Sequence, residues 1–323
     1  MTKIPIVESG PSERSCPNMT PGSFNQTRHA NILVNPAAGR RKCGKLYPAV
    51  VDKLRDAGVK CDVTISRYPG ELTEVAAELA IQGRETVVAC GGDGTVHEIV
   101  NGIAGTETAL GIVPLGATND FARNLGLQQD KDRIHEIIKQ GRTKRIDLVR
   151  VNQDRFFSGT ACLGFDAEIA AFGRSRKIDP FAMNMLGGLF KFFSYKPKTV
   201  EMRFDGQRFF GEVFLVVFGN MRSSARDRTM PPAPEATFDD ALLDICVVEK
   251  MPKRRVLSFL PPARKGAHGN REGMTHYRTE AVFVQSMGPA DLYAGGEFMA
   301  TTPVRMEVVP KYLKVIVGTL PRA

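Results

Sequence analysis

"VVACGGDGTVHEIVNGIAG" (87–105) is the stretch on which the fold turns. An apolar run ends at Cys90, and Gly91, Gly92, Asp93, Gly94 and Thr95 follow. A helical pattern comes next, with Val96, Ile99, Val100 and Ile103 on one face. Glycines between a strand and a helix free the main chain and let a ligand lie against bare backbone. The helix start adds unpaired N–H groups and the positive end of its dipole. Together these make a phosphate cradle. A carboxylate in such a cradle repels phosphate unless a cation lies between them, so Asp93 points to Mg²⁺ beside a polyphosphate. The plainer alternative is a tight turn with Asp93 as a helix cap.

Two standard phosphate motifs fail. "GRRKCGKL" (39–46) fits GxxxxGK, but Leu46 stands where a Mg²⁺-binding Ser or Thr belongs. "GDGTVH" (92–97) ends in His97 where a dinucleotide fold needs Gly or Ala.

Outward from this stretch the pattern alternates. Strand-like "NILVN" (31–35), "CDVTIS" (61–66) and "ALGIVP" (109–114) are interleaved with helical "KLYPAVVDKLRDAG" (45–58), "ELTEVAAELAIQG" (71–83) and "NDFARNLGL" (119–127). Such alternation predicts a parallel sheet covered on both faces, with ligands at the carboxyl ends of its strands. After about Arg145 the texture becomes β-branched and strand-rich, as in "RFFGEVFLVVFGN" (208–220) and "VRMEVVPKYLKVIVG" (304–318). The fold class is therefore α/β: a Rossmann-like parallel-sheet domain, then an antiparallel β-rich sandwich. The expected divisions are a disordered leader at 1–28, a nucleotide domain at 29–146 and a second, β-rich domain at 147–304. A return segment at about 305–323 is expected to complete the first domain. Segment 220–240 reads as a long polar loop, and loops of that length are often functional.

The chain has 323 residues, a net charge of +9, and 42% hydrophobic and 24% charged residues. That is ordinary for a globular protein, with an anionic partner favoured by the charge. The six cysteines show no CxxC spacing and read as buried free thiols, which excludes a zinc site or disulfide framework. The polar leader carries no secretion signal and no window reaches a membrane span, so the expectation is a cytoplasmic protein. No nucleic-acid module is visible, so no nucleic-acid partner is expected.

A second cluster, "PLGATNDFAR" (114–123), also sits at a strand end, with Asn119 and Asp120 at a helix start and Arg123 one turn on. Together with "NPAAG" (35–39), "GGDGT" (91–95), "FDDALLD" (238–244) and "GGE" (295–297), it resembles the diacylglycerol kinase catalytic-domain family of soluble lipid kinases. The resemblance runs from about residue 30 to 320. It implies an ATP-dependent, Mg²⁺-dependent kinase that phosphorylates a lipid hydroxyl: diacylglycerol, ceramide, a sphingoid base or similar. Implied nucleotide contacts are Asn35, Ser66, Gly91 through Thr95, Thr118 and Asn119. Asp93, Asp120 and Asp147 are implied to organise the metal at the reaction, and Glu297 to be the general base. A structural Mg²⁺ is implied at Asp240, with carbonyls of Thr237 and Leu242.

The chain departs from the family at two places. Ala241 replaces a usual Gly, and Gly295 an acidic residue before the base. These keep open a non-catalytic lipid- or nucleotide-binding role. An NAD-kinase-like activity shares the GGDG turn, but PLGATNDFAR argues against it. Two further segments bear on the lipid. The Phe-, Met- and Leu-rich "DPFAMNMLGGLFKFF" (179–193) could line an acyl groove or form ordinary core helix. Basic "PKRRVLSFLPPARKGAHGNR" (252–271), with Arg254, Arg255, Arg264, Lys265 and Arg271, suits an anionic membrane surface or is a plain solvated face. Peripheral membrane contact is expected, and a homodimer is left open.

Overall fold

The computed structural model describes residues 28–127, 131–165, 167–169, 192–222, 233, 236–255 and 273–318. The first strands are β1 (His29–Val34), β2 (Lys60–Ile65), β3 (Thr86–Gly91) and β4 (Ala109–Pro114). They lie side by side in the order β2-β1-β3-β4, and all three pairings are parallel. Every residue of β3 and β4 is buried. A strand covered on both faces reads as an unbroken apolar run for that reason. Helices α1 (Lys42–Asp56) and α5 (Ile134–Gln140) cover one face through Val51, Leu54, Ile134 and Ile138. Helices α2 (Glu71–Ile81) and α3 (Asp93–Ile103) cover the other through Leu72, Ala76, Val96 and Ile99. The apolar stripe read from Val96, Ile99, Val100 and Ile103 is the buried face of α3. Helix α4 (Asp120–Asn124) is a single short turn of five residues, shorter than its sequence pattern implied. Gly126 at φ +75° breaks it.

The second half is antiparallel. Its strands are β5 (Thr143–Val151), β6 (Arg155–Phe157), β7 (Thr160–Gly164), β8 (Lys198–Phe204), β9 (Gln207–Gly219), β10 (Leu243–Glu249), β11 (Met274–Thr279), β12 (Ala281–Ser286), β13 (Asp291–Ala294), β14 (Glu297–Thr301) and β15 (Val304–Ile316). Their inward residues, among them Val149, Phe157, Met202, Phe218, Ile245, Val284 and Met306, make a separate apolar core. The fold class expected from the sequence is the one observed.

Strand β15 belongs to both halves. Its first part pairs antiparallel with β12 and β5, and Lys314 and Val315 then pair parallel with Ala109 and Leu110 of β4. No helix among the described residues is long and apolar enough to cross a membrane.

Candidate active site

The parallel strands end together. Val34 is in register with Ile65 and Cys90, and Gly91 with Pro114. Asn35, Ser66, Gly91 and Leu115 therefore come off neighbouring strand ends. The main chain binds these exits: Asn35 N–H donates to Cys90 O (3.1 Å), Ser66 N–H to Val34 O (2.9 Å) and Leu115 N–H to Gly91 O (2.8 Å). Asn35 Oδ1 accepts from Ala37 N–H at 3.0 Å, so this side chain shapes its own turn.

The GGDGT and PLG loops cross at their glycines. A Cβ on Gly116 would sit 2.4 Å from Gly92 Cα, and one on Gly91 would sit 2.3 Å from Thr95 Oγ1. Only bare backbone permits this approach. Gly94 is different, because a Cβ there would meet nothing within 4 Å. The crossing is thus closed beneath and open at Gly94, beside the first-turn N–H groups of α3. Below it, Cys43 Sγ lies 3.9 Å from Cys90 Sγ and donates to Cys90 O at 3.2 Å. This contact lowers the Cys43 thiol pKa and raises that of Cys90, which burial raises further. Cys43, Cys61, Cys90 and Cys246 are free thiols.

Asp93 joins the two loops. Thr118 Oγ1 donates to Asp93 Oδ2 at 2.6 Å, and Phe121 N–H donates to Asp93 Oδ1 at 3.1 Å. Asp93 is thus a cap, but of α4 rather than of its own helix. Asn119, buried and left-handed at φ +53°, closes its own loop: Gly116 N–H donates to Oδ1 (2.9 Å), and Nδ2 donates to Gly116 O (3.0 Å). Arg123 pairs with Asp120 (2.9 Å) and donates to Thr118 O (2.8 Å). Thr95 is almost fully buried, so its hydroxyl faces the turn rather than the open side. Asp93 and Asp120 are half-exposed on adjoining loops; Mg²⁺ takes one or two carboxylates and completes its shell with phosphate and water, so a metal here would be held chiefly by Asp93 and would compete with Arg123 for Asp120. A nucleotide polyphosphate and its Mg²⁺ fit this place.

Asp147 is placed differently from the expectation. It is 2% exposed on β5. Ala241 N–H donates to its Oδ2 and Lys311 N–H to its Oδ1, each at 2.8 Å. Its backbone N–H donates to Phe238 O, and its carbonyl accepts from Asn220 Nδ2. These contacts make it the anchor of the 238–241 loop against β15.

The expected structural metal set does not fit a metal as arranged. Thr237 Oγ1 donates to Asp240 Oδ2 at 2.6 Å, Leu242 N–H donates to Asp240 Oδ1 at 3.1 Å, and Arg278 pairs with Asp240 Oδ2. No group of three or more His, Cys, Asp or Glu that could hold a metal occurs among the described residues.

Glu297 is half-buried at the start of β14. The turn before it is Gly295 (φ +58°) and Gly296 (φ +85°), the two left-handed residues of a tight hairpin between β13 and β14. Gly295, where the family has an acidic residue, relieves that turn. Three residues not singled out by their sequence pattern tie β14 to α3. Asn101 of α3 donates to Phe156 O (3.0 Å) and accepts from Phe156 N–H (2.8 Å), while Arg155 donates to Phe298 O at 2.6 Å. Their one available signal is a polar Asn late in an otherwise apolar-faced helix.

Several expected features lie outside the described residues: residues 1–27 of the leader, most of loop 220–240, the 179–193 stretch apart from Phe192 and Phe193, and Arg264, Lys265 and Arg271. Arg254 is exposed and Arg255 half-buried.

Residues 29–151 match the Diacylglycerol kinase catalytic domain, and residues 159–317 match the YegS C-terminal NAD kinase beta sandwich-like domain. The chain is similar to the diacylglycerol kinase of Bacillus subtilis (strain 168), 26% identical over 303 residues, covering 90% of this chain and 96% of the relative. It is also similar to that of Staphylococcus saprophyticus, 28% identical over 297 residues, covering 89% and 95%. A crystal structure of a candidate diacylglycerol kinase from Bacillus anthracis str. Sterne superposes with a TM-score of 0.73 at 22% identity, covering 91% of this chain and 98% of that one. At that identity the likeness carries the fold alone. With both halves matched in order, and the glycine crossing formed by the motifs of the first, the chain carries a diacylglycerol kinase catalytic domain followed by a YegS C-terminal domain and is, at the level of that catalytic domain, a lipid kinase.

Proposed function

We propose that this chain transfers the γ-phosphoryl group of ATP to the hydroxyl of a lipid such as diacylglycerol, ceramide or a sphingoid base. The observation that carries the reading is the crossing of GGDGT over PLGATND, which gathers Asp93, Thr118 and Asp120 beside an open glycine face. The polyphosphate lies over Gly92 to Gly94 against the first-turn amides of α3, with Asn35 and Ser66 at the neighbouring strand ends. Asp93 and Asp120 would hold Mg²⁺, which when bound would neutralise charge on the transferring phosphoryl group. Glu297 accepts the proton of the lipid hydroxyl as that oxygen attacks. The "NAD kinase" in the description of the second half names a sandwich likeness. PLGATNDFAR and the kinship to diacylglycerol kinases favour a lipid acceptor.

The test is labelled-ATP turnover against a panel of lipid alcohols, with the product identified by mass. Glu297→Gln should lower kcat by about 10²–10⁴ while ATP affinity holds. A Glu297→Gln enzyme with native kcat on its best lipid places the base elsewhere. Phosphorylation of NAD instead of any lipid defeats the reading.

A further inference from the structure

We propose that Arg278 is the resident cation of the 236–244 loop, and that this chain holds the loop without a metal ion there. The inference does not depend on which substrate the enzyme takes.

The register of β10 and β11 places Arg278 directly opposite Asp244. From there its Nε lies 3.4 Å from Asp244 Oδ1, and its Nη2 reaches Asp240 Oδ2. The remaining loop carboxylate, Asp239, pairs with Lys144 at 2.5 Å. Each of the three carboxylates that could attract a divalent cation already has a cationic side chain. Asp240 also accepts from Thr237 Oγ1 and Leu242 N–H, which folds the loop around the carboxylate. A metal bound at Asp240 would have to displace a charge-assisted guanidinium contact and would then lie against the displaced positive charge.

The arrangement matters because this loop sits at the junction of the two halves. Ala241 N–H binds Asp147, Phe238 O binds the Asp147 N–H, and Asp147 in turn binds Lys311 on β15. Arg278 ties that junction to β11. A fixed guanidinium does so at any magnesium concentration, whereas a metal clamp would loosen on chelation.

The experiment is thermal unfolding of the full chain without nucleotide, in EDTA and in excess MgCl₂. Native Tm should agree between the two conditions within about 1 °C. Arg278→Gln leaves Asp240 and Asp244 facing each other unneutralised, and its Tm in EDTA should fall by about 2–4 °C. Arg278→Lys keeps the charge and should recover most of that loss. A native Tm that drops in EDTA and returns with Mg²⁺, with the response abolished in Asp240→Asn, overturns the proposal. So does a Gln variant as stable as the native chain, or a Lys variant no better than Gln. If Arg278→Gln and Arg278→Lys both fail to fold, the comparison of native chain and Asp240→Asn in the two buffers decides. A magnesium response that survives Asp240→Asn arises elsewhere and, with a destabilised Gln variant, supports the proposal.

Discussion

At the scale of single residues, Asp93 and Ala241 show how local chemistry and tertiary position divide the work. Asp93 looks like a cap and like a metal carboxylate, and the geometry allows both: its oxygens take Thr118 Oγ1 and Phe121 N–H yet stay half-exposed. Asp93→Asn keeps one oxygen acceptor, so the loop crossing should hold while the charge is lost. Turnover should fall at least 10²-fold, several kcal/mol of transition-state stabilisation, with Tm changed by no more than a few degrees. A folded Asp93→Asn chain with native turnover removes Asp93 from the chemistry. Ala241 sits at φ +60°, a left-handed conformation that costs a residue with a Cβ about 1–2 kcal/mol. Glycine's freedom in the unfolded chain takes back part of that difference. Ala241→Gly should therefore raise Tm by about 2–4 °C, read by calorimetry. A lower Tm would mean that the Ala241 methyl packs usefully.

At the scale of elements, the outer face of β8 carries an acid-sensitive knot. Glu201 is 8% exposed and receives Arg203 Nε (2.7 Å), Gln285 Nε2 (2.7 Å) and Arg208 Nε (2.9 Å). The Arg203 contact, followed by Gln285, pulls its carboxyl from the ordinary 4.5 down to about 2. A pKa lowered by folding gives stability that is whole above the unfolded value and disappears as pH falls toward the folded one. The contribution of Glu201 should thus be lost between about pH 4.5 and about 2. Urea midpoints across that window should fall less steeply for Glu201→Gln than for the native chain. Parallel slopes would show that the guanidinium contacts do not stabilise the charged form.

At the scale of the whole molecule, β15 couples the halves. Met306 lies in the β-sandwich core, while Leu313 and Val315 lie in the core of the parallel sheet, all three fully buried. A strand that serves two cores makes neither half independent of the other. A chain ended after Val309 keeps GGDGT and PLGATND intact but strips Leu313 and Val315 from beside β4. It should lose cooperative unfolding of the nucleotide-binding half, followed by near-UV circular dichroism and nucleotide-protected proteolysis. A truncated chain that still unfolds cooperatively and protects with ATP would make β15 a mere cover.

What the sequence determined by itself is local in origin. The alternation of strand and helix, the glycine-rich turns and the apolar stripe of α3 follow from backbone freedom and hydrophobic period, which act within about ten residues. The glycines of GGDGT and PLG were legible as bare backbone at strand-to-helix turns; that Gly92 and Gly116 let the two loops cross was not. What only the tertiary structure decided involves partners far apart along the chain. Asp147 lies beside Ala241 and Lys311, 94 and 164 positions away, and Asn101 binds Phe156 across 55. Nothing near Asp147 in sequence says that its carboxylate would be closed by two main-chain N–H groups. Likewise nothing near "FDDALLD" says that Arg278, 38 positions beyond Asp240, would supply its positive charge. Strand register sets that pairing: with Arg278 opposite Asp244, the guanidinium reaches both carboxylates. A shift of one residue would turn Arg278 to the other face of the sheet, away from both.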